Sequence, residues 1–410
     1  MEDKSELLNV RKNFLWNALG SGIFAASSML MLVLVNYVNG VNIAGKFSVA
    51  YAIAQMLYIV GIYGMNIFQM TDYKKEYNFA EYFSAKLVTT GVTVIVCIAY
   101  VAVNGRAVFD NALMVGLSLY LLAFSVAEVF QSQMFCNGRL DLSGKSLFYR
   151  TLISLIVFGL LLYVNQSVLV ATGGAVLANI VAMFFWTFKP LLRYETIGLS
   201  YHYKSIARLI GASTPLFLST LLLTALTNAP KYFIDIYLDD YTQGIYGMIF
   251  IPVMVTVLLC GFIYKPLLPR IINIIENNDK RQTWKLLLVA VCMIIGIMML
   301  GILLMNSIGI DIMSFIFRLD LSRYTNEIRI MVICSGIVAY ANFMNNIVIA
   351  MRMQRQILWV SLCALIASCM AGGFLVGRYS IMGALVTFGI GYMLYNILLT
   401  IFMIREMRRR

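Results

Sequence analysis

The chain has 410 residues, of which 61% are hydrophobic and 12% charged, and its mean hydropathy is +0.84. This composition excludes a soluble globular domain, and several charge-free runs exceed the roughly 18 residues that mark a membrane-spanning helix. The formal net charge of +12 would suggest nucleic acid in a soluble protein, but no basic run lies in a segment able to fold outside a membrane. We therefore predict an all-α polytopic membrane protein without a nucleic-acid partner.

Apolar runs and the polar breaks between them predict about twelve transmembrane helices. In chain order we place these helices at 14–38, 46–69, 86–103, 111–135, 147–165, 168–188, 211–237, 244–264, 284–306, 327–350, 357–377 and 381–404. The longest predicted outer loop is 306–327, and the longest predicted inner loops are 189–208 and 265–285. None has room for a nucleotide-binding domain, and the sequence lacks the GxxxxGK[ST] phosphate-binding motif. We do not expect the chain itself to use ATP.

Lysine and arginine residues set the predicted orientation. With the N-terminus inside, 24 of the 31 basic residues fall in inner segments and 7 in outer segments. Because basic residues favour the cytoplasmic side of a membrane, the sequence predicts that both termini are cytoplasmic.

Two hairpins half a chain apart resemble each other. Val35-Asn36-Tyr37 followed by Gly45-Lys46-Phe47 parallels Ile234-Asp235-Ile236 followed by Gly244-Ile245-Tyr246, at an offset of 199 residues. Six helices per half preserve the orientation, which indicates parallel repeats; chance similarity between apolar hairpins is the alternative. The predicted divisions are an N-terminal six-helix lobe 1–190, a cytoplasmic linker 191–210 and a C-terminal six-helix lobe 211–410.

The six prolines all lie at or after the end of the predicted sixth helix. Proline lacks an N–H donor, and its ring crowds the preceding turn. We therefore expect Pro215 and Pro230 to kink or break the seventh helix and to act as hinge residues.

Polar side chains within the apolar runs are the candidate functional residues, because an ionisable residue at membrane depth costs roughly 2.5–3.5 kcal/mol or more. The candidates for a substrate-binding cavity are Lys231, Asp235, Asn228, Lys86, Arg150, Glu128, Gln131, Asn342 and Asn345. Each has a structural alternative, since isolated Asn and Gln side chains more often hold membrane helices together.

Lys231 is the central candidate. Asn228, Lys231 and Asp235 recur at i, i+3 and i+7 on one helix face, directly around Pro230. Lys231 and Asp235 are also i, i+4 neighbours, which can pair. Two interpretations stay open: the pair stabilises the outer helix end, or Lys231 alternates between Asp235 and an anionic substrate.

Residues that would support enzymatic chemistry are sparse. The seven cysteines form no CxxC motif, and the single histidine, His202, lies in a predicted inner loop. We expect no catalytic residues and no metal site, and we do not predict an enzyme.

Four runs of the sequence together resemble a known family. They are Phe14-Leu15-Trp16-Asn17-Ala18-Leu19-Gly20-Ser21, Tyr63-Gly64-Met65 with Phe68-Gln69-Met70-Thr71-Asp72, Gly138-Arg139-Leu140-Asp141-Leu142-Ser143-Gly144-Lys145-Ser146, and Asn228-Ala229-Pro230-Lys231-Tyr232. In this order and spacing they resemble the lipid-linked oligosaccharide flippases. That family is the polysaccharide-transporter branch of the multidrug/oligosaccharidyl-lipid/polysaccharide exporter superfamily.

The resemblance implies a MATE-like fold of two six-helix lobes around a central cavity. It implies alternating access, with the sugar-diphosphate head in the cavity and the polyprenyl tail in lipid. The chain departs from the family in lacking arginines within its first two helices and a Tyr-Gly or His-Gly pair near Phe130-Gln131. We therefore expect Lys231, Lys86 and Arg150 to hold the diphosphate, because Lys and Arg form charge-assisted hydrogen bonds with phosphate.

The resemblance also implies a function: translocation of undecaprenyl-diphosphate-linked oligosaccharide across the bacterial cytoplasmic membrane for capsule, O-antigen or exopolysaccharide synthesis. The implied partners are this polyprenyl-diphosphate-linked oligosaccharide, membrane lipid, and the glycosyltransferases and polymerase of the pathway. We expect no cofactor, and coupling to Na⁺ or H⁺ stays open. The alternatives are a cation-coupled drug or metabolite exporter of the same superfamily, and a polymerase or ligase acting on the same lipid through its outer loop.

Overall fold

The computed structural model describes residues 2–72, 76–264, 274, 280–351 and 353–409, and within these ranges it is helical, without a strand. In chain order the α-helices are α1 (Glu2–Asn39), α2 (Val41–Ile62), α3 (Met65–Thr71), α4 (Phe79–Val103), α5 (Val108–Cys136), α6 (Leu140–Asn165), α7 (Val168–Met183), α8 (Lys189–Leu191), α9 (Tyr203–Tyr237), α10 (Asp240–Ile249), α11 (Ile251–Tyr264), α12 (Lys280–Leu304), α13 (Ile310–Phe317), α14 (Thr325–Ala350) and α15 (Gln354–Arg409). Two π-helical segments, Phe184–Phe188 and Met305–Gly309, join α7 to α8 and α12 to α13.

Eleven helical stretches of the described chain are long and apolar enough to cross a membrane. The last, Arg355–Met407, has 53 residues and is interrupted at Ser380, whose φ of 53° and ψ of −132° are not helical. The chain reverses at Ser380. This reversal brings Ser368 to Thr387, and the Ser368 hydroxyl donates to the Thr387 carbonyl at 3.5 Å. The all-α polytopic fold is confirmed, and the predicted break between 377 and 381 falls at Ser380.

α4 and α6 begin about two turns before their predicted starts. α4 begins at Phe79 rather than at 86, and α6 begins at Leu140 rather than at 147. At the start of α4, the Asn78 side chain accepts from the Glu81 amide and the Glu81 side chain accepts from the Asn78 amide, which forms a capping box. Lys86 therefore lies inside α4 instead of at its end.

α9 runs unbroken through Pro215 and Pro230, so the expected break is absent. Proline removes one backbone hydrogen bond from a helix, but polar side chains and protein neighbours make this tolerable at membrane depth. Thr227 and Asn228 donate to the Leu223 and Thr224 carbonyls at 2.9 and 3.2 Å, in the same turns as the Leu226 carbonyl that Pro230 leaves without its helical donor. The hinge role of the two prolines stays a prediction.

The predicted outer loop 306–327 is mostly helical. The π-helical segment Met305–Gly309 carries α12 directly into α13, which ends at Phe317. Arg318 then adopts a left-handed φ of 50° as the C-cap. The remaining connection to α14 is short, which leaves less room than predicted for the outer catalytic loop of a polymerase or ligase.

Tyr63 and Gly64 interrupt the second span between α2 and α3. Both residues have left-handed φ values, 53° and 69°, which glycine adopts freely and which cost tyrosine of order 1–3 kcal/mol. The Tyr63 ring stacks on Phe217 with 4.2 Å between centroids, and its hydroxyl lies 3.2 Å from Thr214 Oγ1. These contacts hold the strained residue and give the Tyr-Gly-Met run a structural role.

The chain divides into two compact units: the first comprises Met1–Asn39 and Ala50–Leu221, and the second comprises Gly40–Val49 and Leu222–Arg410. The predicted lobe boundaries in sequence stay a prediction.

In the first unit, α1 packs closely along α6. A Cβ added to Gly144 would overlap the backbone of Trp16 and Asn17, and Lys145 Nζ lies 5.4 Å from the Trp16 ring centroid. Small residues allow such close approach between membrane helices. Two of the four family-like runs are therefore explained by the packing of α1 on α6.

In the second unit, the two glycines of the predicted repeat pack reciprocally. A Cβ added to Gly45 would overlap the Asp240 carbonyl, and one added to Gly244 would overlap the Val41 carbonyl. Gly45 and Gly244 are 199 residues apart, and so are Val41 and Asp240, as the repeat predicts. Lys46 and Asp240 add a partly exposed ion pair at 3.8 Å, which contributes little.

We predict that Gly45→Ala and Gly244→Ala each lower the melting temperature of the detergent-solubilised protein. The added methyl group would meet backbone rather than a movable side chain, and overpacking typically costs about 1–3 kcal/mol. Gly91→Ala is the matched control, because its Cβ would meet nothing within 4 Å and alanine favours a helix. Melting temperatures of Gly45→Ala and Gly244→Ala equal to that of Gly91→Ala would contradict the close packing.

Candidate functional site

Lys86 lies in the interior of the first unit, with 2% of its surface exposed. Its ammonium donates to the Gly61 carbonyl and to Ser125 Oγ, each at 2.8 Å. Thr89 Oγ1 donates to the same carbonyl at 3.1 Å. Among the described residues no carboxylate forms an ion pair with Lys86. Neutral oxygen atoms therefore solvate this charge directly, and the Glu128 carboxylate acts on it from beyond ion-pair distance.

Arg150 is fully buried on α6 in the same unit. Its Nε and Nη2 donate to Asn179 Oδ1 at 3.0 and 2.7 Å, and Nη2 also donates to the Ala123 carbonyl at 3.0 Å. The guanidinium carbon lies 4.6 Å from the centroid of the Phe124 ring. Within the described chain Nη1 has no hydrogen-bond partner. One guanidinium nitrogen is thus left to bind a further acceptor.

Glu128 and Gln131 lie one turn apart on α5 and have different surroundings. The Tyr58 hydroxyl donates to Glu128 Oε1 at 2.8 Å, while Oε2 is buried and has no partner among the described residues. Gln131 is buried and donates to Ser146 Oγ at 3.1 Å. Gln131 therefore links α5 to α6, whereas Glu128 keeps an oxygen atom available.

Lys231 is the buried cation of the second unit, on α9, with 6% of its surface exposed. Its ammonium lies 5.3 Å from the centroid of the Phe250 ring. Among the described residues no hydrogen bond or ion pair reaches it. Phe250 in turn packs against Tyr246 and Phe388, with 6.1 and 5.5 Å between centroids. The Lys231 ammonium group therefore lies against a cluster of aromatic rings.

Asp235 does not form the expected ion pair with Lys231 within the described structure, since the ammonium lies over Phe250 instead. Asn228 is buried, and its amide donates along its own helix. The neighbouring Thr227 hydroxyl lies 2.6 Å from the Tyr392 hydroxyl. The predicted helix face is thus buried around Lys231, but it is not joined by a Lys231–Asp235 pair.

Asn342 and Asn345 make helix contacts on α14. The Asn342 amide donates to the Val338 carbonyl at 3.1 Å, and the Tyr395 hydroxyl donates to Asn345 Oδ1 at 3.4 Å. Such bonds between and along helices are the ordinary use of asparagine in membranes. In this structure both asparagines serve packing of α14.

Several residues around the charges were not predicted from the sequence. Asn179 accepts hydrogen bonds from Arg150, and the Phe250 ring lies beside Lys231. Both residues lie in apolar runs, and no spacing in the sequence distinguishes them. Gln243 is fully buried, and within the described chain neither atom of its amide has a partner. Gln243 lies outside the predicted helix 244–264, so its burial could not be read from the sequence.

No protein-family model matches the sequence. The capsular polysaccharide biosynthesis protein CapF of Staphylococcus aureus is 23% identical over 381 residues, which cover 92% of this chain and 94% of CapF.

The structure is similar to solved structures of transporters. A variant of the Vibrio cholerae MATE transporter VcmN has a TM-score of 0.68 and 14% identity, with 99% of each chain covered. An inward-facing multidrug resistance MATE family transporter of the MOP superfamily has a TM-score of 0.69 and 10% identity, covering 97% of this chain and 95% of that one. The chain has the fold of the MATE transporters. This MATE fold confirms the fold expected from the four sequence runs and identifies a multi-pass membrane protein of transporter architecture.

We predict that Asn179→Leu strongly destabilises the protein, because it removes the acceptor of two guanidinium hydrogen bonds. Removing the acceptor of hydrogen bonds from a buried charged group costs about 1–3 kcal/mol or more, so the melting temperature in detergent should fall. The Arg150→Leu/Asn179→Leu double variant should be more stable than Asn179→Leu, because the unpaired charge is gone. A double variant less stable than Asn179→Leu would show that Arg150 is not held by this amide.

Proposed function

We propose that this MATE-fold protein is a flippase that moves an undecaprenyl-diphosphate-linked oligosaccharide from the inner to the outer leaflet of the bacterial cytoplasmic membrane. The product would serve synthesis of capsule, O-antigen or exopolysaccharide. The observation that carries the proposal is Lys231, a buried transmembrane cation with an aromatic ring beside it and no ion-pair partner in the described chain. Burying such a charge is costly unless an anion compensates it, and a diphosphate supplies that anion.

The relative in Staphylococcus aureus supports the polysaccharide part of the proposal. CapF is described as a capsular polysaccharide biosynthesis protein, and the similarity extends over 92% of this chain. A transporter fold combined with a role in capsule synthesis suits export of a lipid-linked sugar intermediate. Glycosyltransferases and a polymerase of the same pathway would then be its functional partners.

Lys231 would exchange the Phe250 ring for the substrate diphosphate during transport. A cation over an aromatic face gains about 2 kcal/mol when desolvated, which is less than charge-assisted hydrogen bonds to phosphate provide. The two states of the cycle would therefore make different contacts with the substrate, as any ligand-driven conformational change requires. Lys86 and Arg150, already hydrogen-bonded to neutral oxygens, would contribute positive potential in the first unit.

We predict that Lys231→Gln abolishes surface polysaccharide in a complemented deletion strain, while the protein accumulates normally in the membrane. Lys231→Arg should retain part of the export, because the charge survives but its geometry changes. Surface polysaccharide would be quantified by immunoblot against Lys204→Gln, a control at an exposed position of the same helix.

The Lys231→Gln/Asp235→Asn double variant should remain inactive, because no ion pair joins the two residues. Recovery of export in this double variant would contradict the proposed role and would favour a purely stabilising pair.

A cation-coupled drug or metabolite exporter is the second candidate. Glu128 favours it, since this partly buried carboxylate receives one hydrogen bond from Tyr58 and keeps Oε2 without a partner among the described residues. Such a group can take up H⁺ or Na⁺. An exporter of this kind would lose drug efflux in Glu128→Gln and leave surface polysaccharide intact.

Deletion of the gene separates the two candidates. We expect lipid-linked repeat units to accumulate on the cytoplasmic side and surface polysaccharide to disappear, with drug susceptibility unchanged. The repeat units would be assayed by their accessibility to a membrane-impermeant glycosidase in intact cells and in lysates. Normal surface polysaccharide together with increased drug susceptibility would establish the exporter instead.

A further inference from the structure

A polar pocket of about 600 Å³ lies at one end of the first unit. It is formed by the end of α3, the start of α4, the end of α5 and the segment after α8, and it is lined by none of the buried cations described above. The basic-residue asymmetry predicts that these segments face the cytoplasm. One of the family-like runs, Gln69-Met70-Thr71-Asp72, contributes three of its lining residues, so the pocket gives this run a place in the structure.

A hydrogen-bond relay fixes the orientation of two amides in the pocket. Gln133 Nε2 donates to Glu195 Oε2 at 2.7 Å, and Gln69 Nε2 donates to Gln133 Oε1 at 3.0 Å. Because a carboxylate only accepts hydrogen bonds, Glu195 forces Gln133 to present its oxygen to Gln69. Gln69 must then use its amino group, and its Oε1 is left over.

Gln69 Oε1 is a buried acceptor with no donor among the described residues. The whole side chain is 3% exposed, so loss of this hydrogen bond is costly unless a ligand supplies it. The residue lines the pocket. The relay thus ends at Gln69 Oε1, a buried acceptor that has no donor among the described residues.

The described lining of the pocket is acidic. Asp72 and Glu195 line it, and its described lining contains no Lys, Arg or His. The nearby Arg139 is paired with Asp141 at 3.0 Å. The Asp72 carboxylate accepts from the Tyr77 amide and the Tyr82 hydroxyl at 3.2 and 3.1 Å, which places two tyrosine rings at the wall.

We propose that this pocket binds a non-phosphorylated sugar unit of the lipid-linked head group. Sugar hydroxyls are the donors that Gln69 Oε1 lacks among the described residues, and the tyrosine rings offer apolar faces to a sugar ring. The Asp72 and Glu195 carboxylates disfavour a phosphate group beside them, so the proposal concerns a sugar unit and not the diphosphate. The volume falls within the range of about 300–1,000 Å³ that small-molecule pockets occupy. That the bound sugar belongs to a lipid-linked head group rests on the proposed function.

Cys136 provides a reporter inside the pocket. Its side chain is exposed, and Sγ donates to the Gln69 carbonyl at 3.5 Å. The purified full-length protein in nanodiscs would be alkylated with iodoacetamide, and modification of Cys136 would be quantified by peptide mass spectrometry. A site with a Kd of about 1 mM is mostly occupied at ~10 mM ligand, so N-acetylglucosamine should slow the labelling about tenfold.

Three comparisons make the test specific. Glucose 1-phosphate should protect Cys136 less than N-acetylglucosamine does, because its phosphate meets the two carboxylates. Gln69→Leu should lose the protection. Gln282→Leu, the same substitution at an exposed position in the second unit, should keep it. The melting temperature of Gln69→Leu would show that its structure is intact.

The proposal is overturned if neither sugar slows the labelling, if Gln69→Leu keeps the protection, or if methylammonium protects Cys136 while N-acetylglucosamine does not. The last result would identify a cation site. Failure of the proposed function would appear elsewhere, as normal surface polysaccharide in the deletion strain. Protection of Cys136 by a sugar would support the pocket whatever that strain shows.

Discussion

The cost of burying charge at membrane depth governs the interior of both units. Lys86 and Arg150 meet this cost with hydrogen bonds to carbonyl, amide and hydroxyl oxygens. Lys231 has a single aromatic ring, and the gain of about 2 kcal/mol from such a contact falls short of the roughly 2.5–3.5 kcal/mol or more that a membrane-buried charge costs. Lys231 is therefore the least compensated of the three charges, and an anionic substrate would gain most by approaching it.

The second constraint is close approach of helix backbones, because lipid gives membrane helices no hydrophobic reason to associate. Glycine supplies that approach in both units. Gly144 admits the backbone of α1, and Gly45 and Gly244 admit each other's helix starts. The sequence runs around these glycines read as family signatures, yet their contacts are structural. These glycine-containing runs therefore build the fold. The runs around Gln69 and Lys231 differ from them, because they contain polar groups that are unsatisfied within the described structure.

Hydropathy predicted the spans well and their polar ends poorly. It detects the lipid-facing residues, whereas the first turns of α4 and α6 are polar and pack against protein. Lys86 and Arg150 were consequently placed in the first turns of their predicted helices, although the Asn78–Glu81 capping box marked the true start of α4. The sequence predicted the charged residues of the candidate site but not the residues that surround them. Phe250 and Asn179 could not be identified, because contacts between distant helices depend on packing and leave no local pattern. Pro230 does not break α9, since the backbone bond that a proline removes is tolerable where protein surrounds the helix.

The charges of the proposed sites match the two ends of a lipid-linked oligosaccharide head. A diphosphate needs cations and donors, which Lys231 offers, whereas a sugar needs acceptors and ring faces, which the pocket around Gln69 and Glu195 offers. If both groups were bound by one mixed surface, Asp72 and Glu195 would oppose the phosphate that the lysine attracts. Placing the carboxylates in a pocket whose described lining has no cation avoids this conflict.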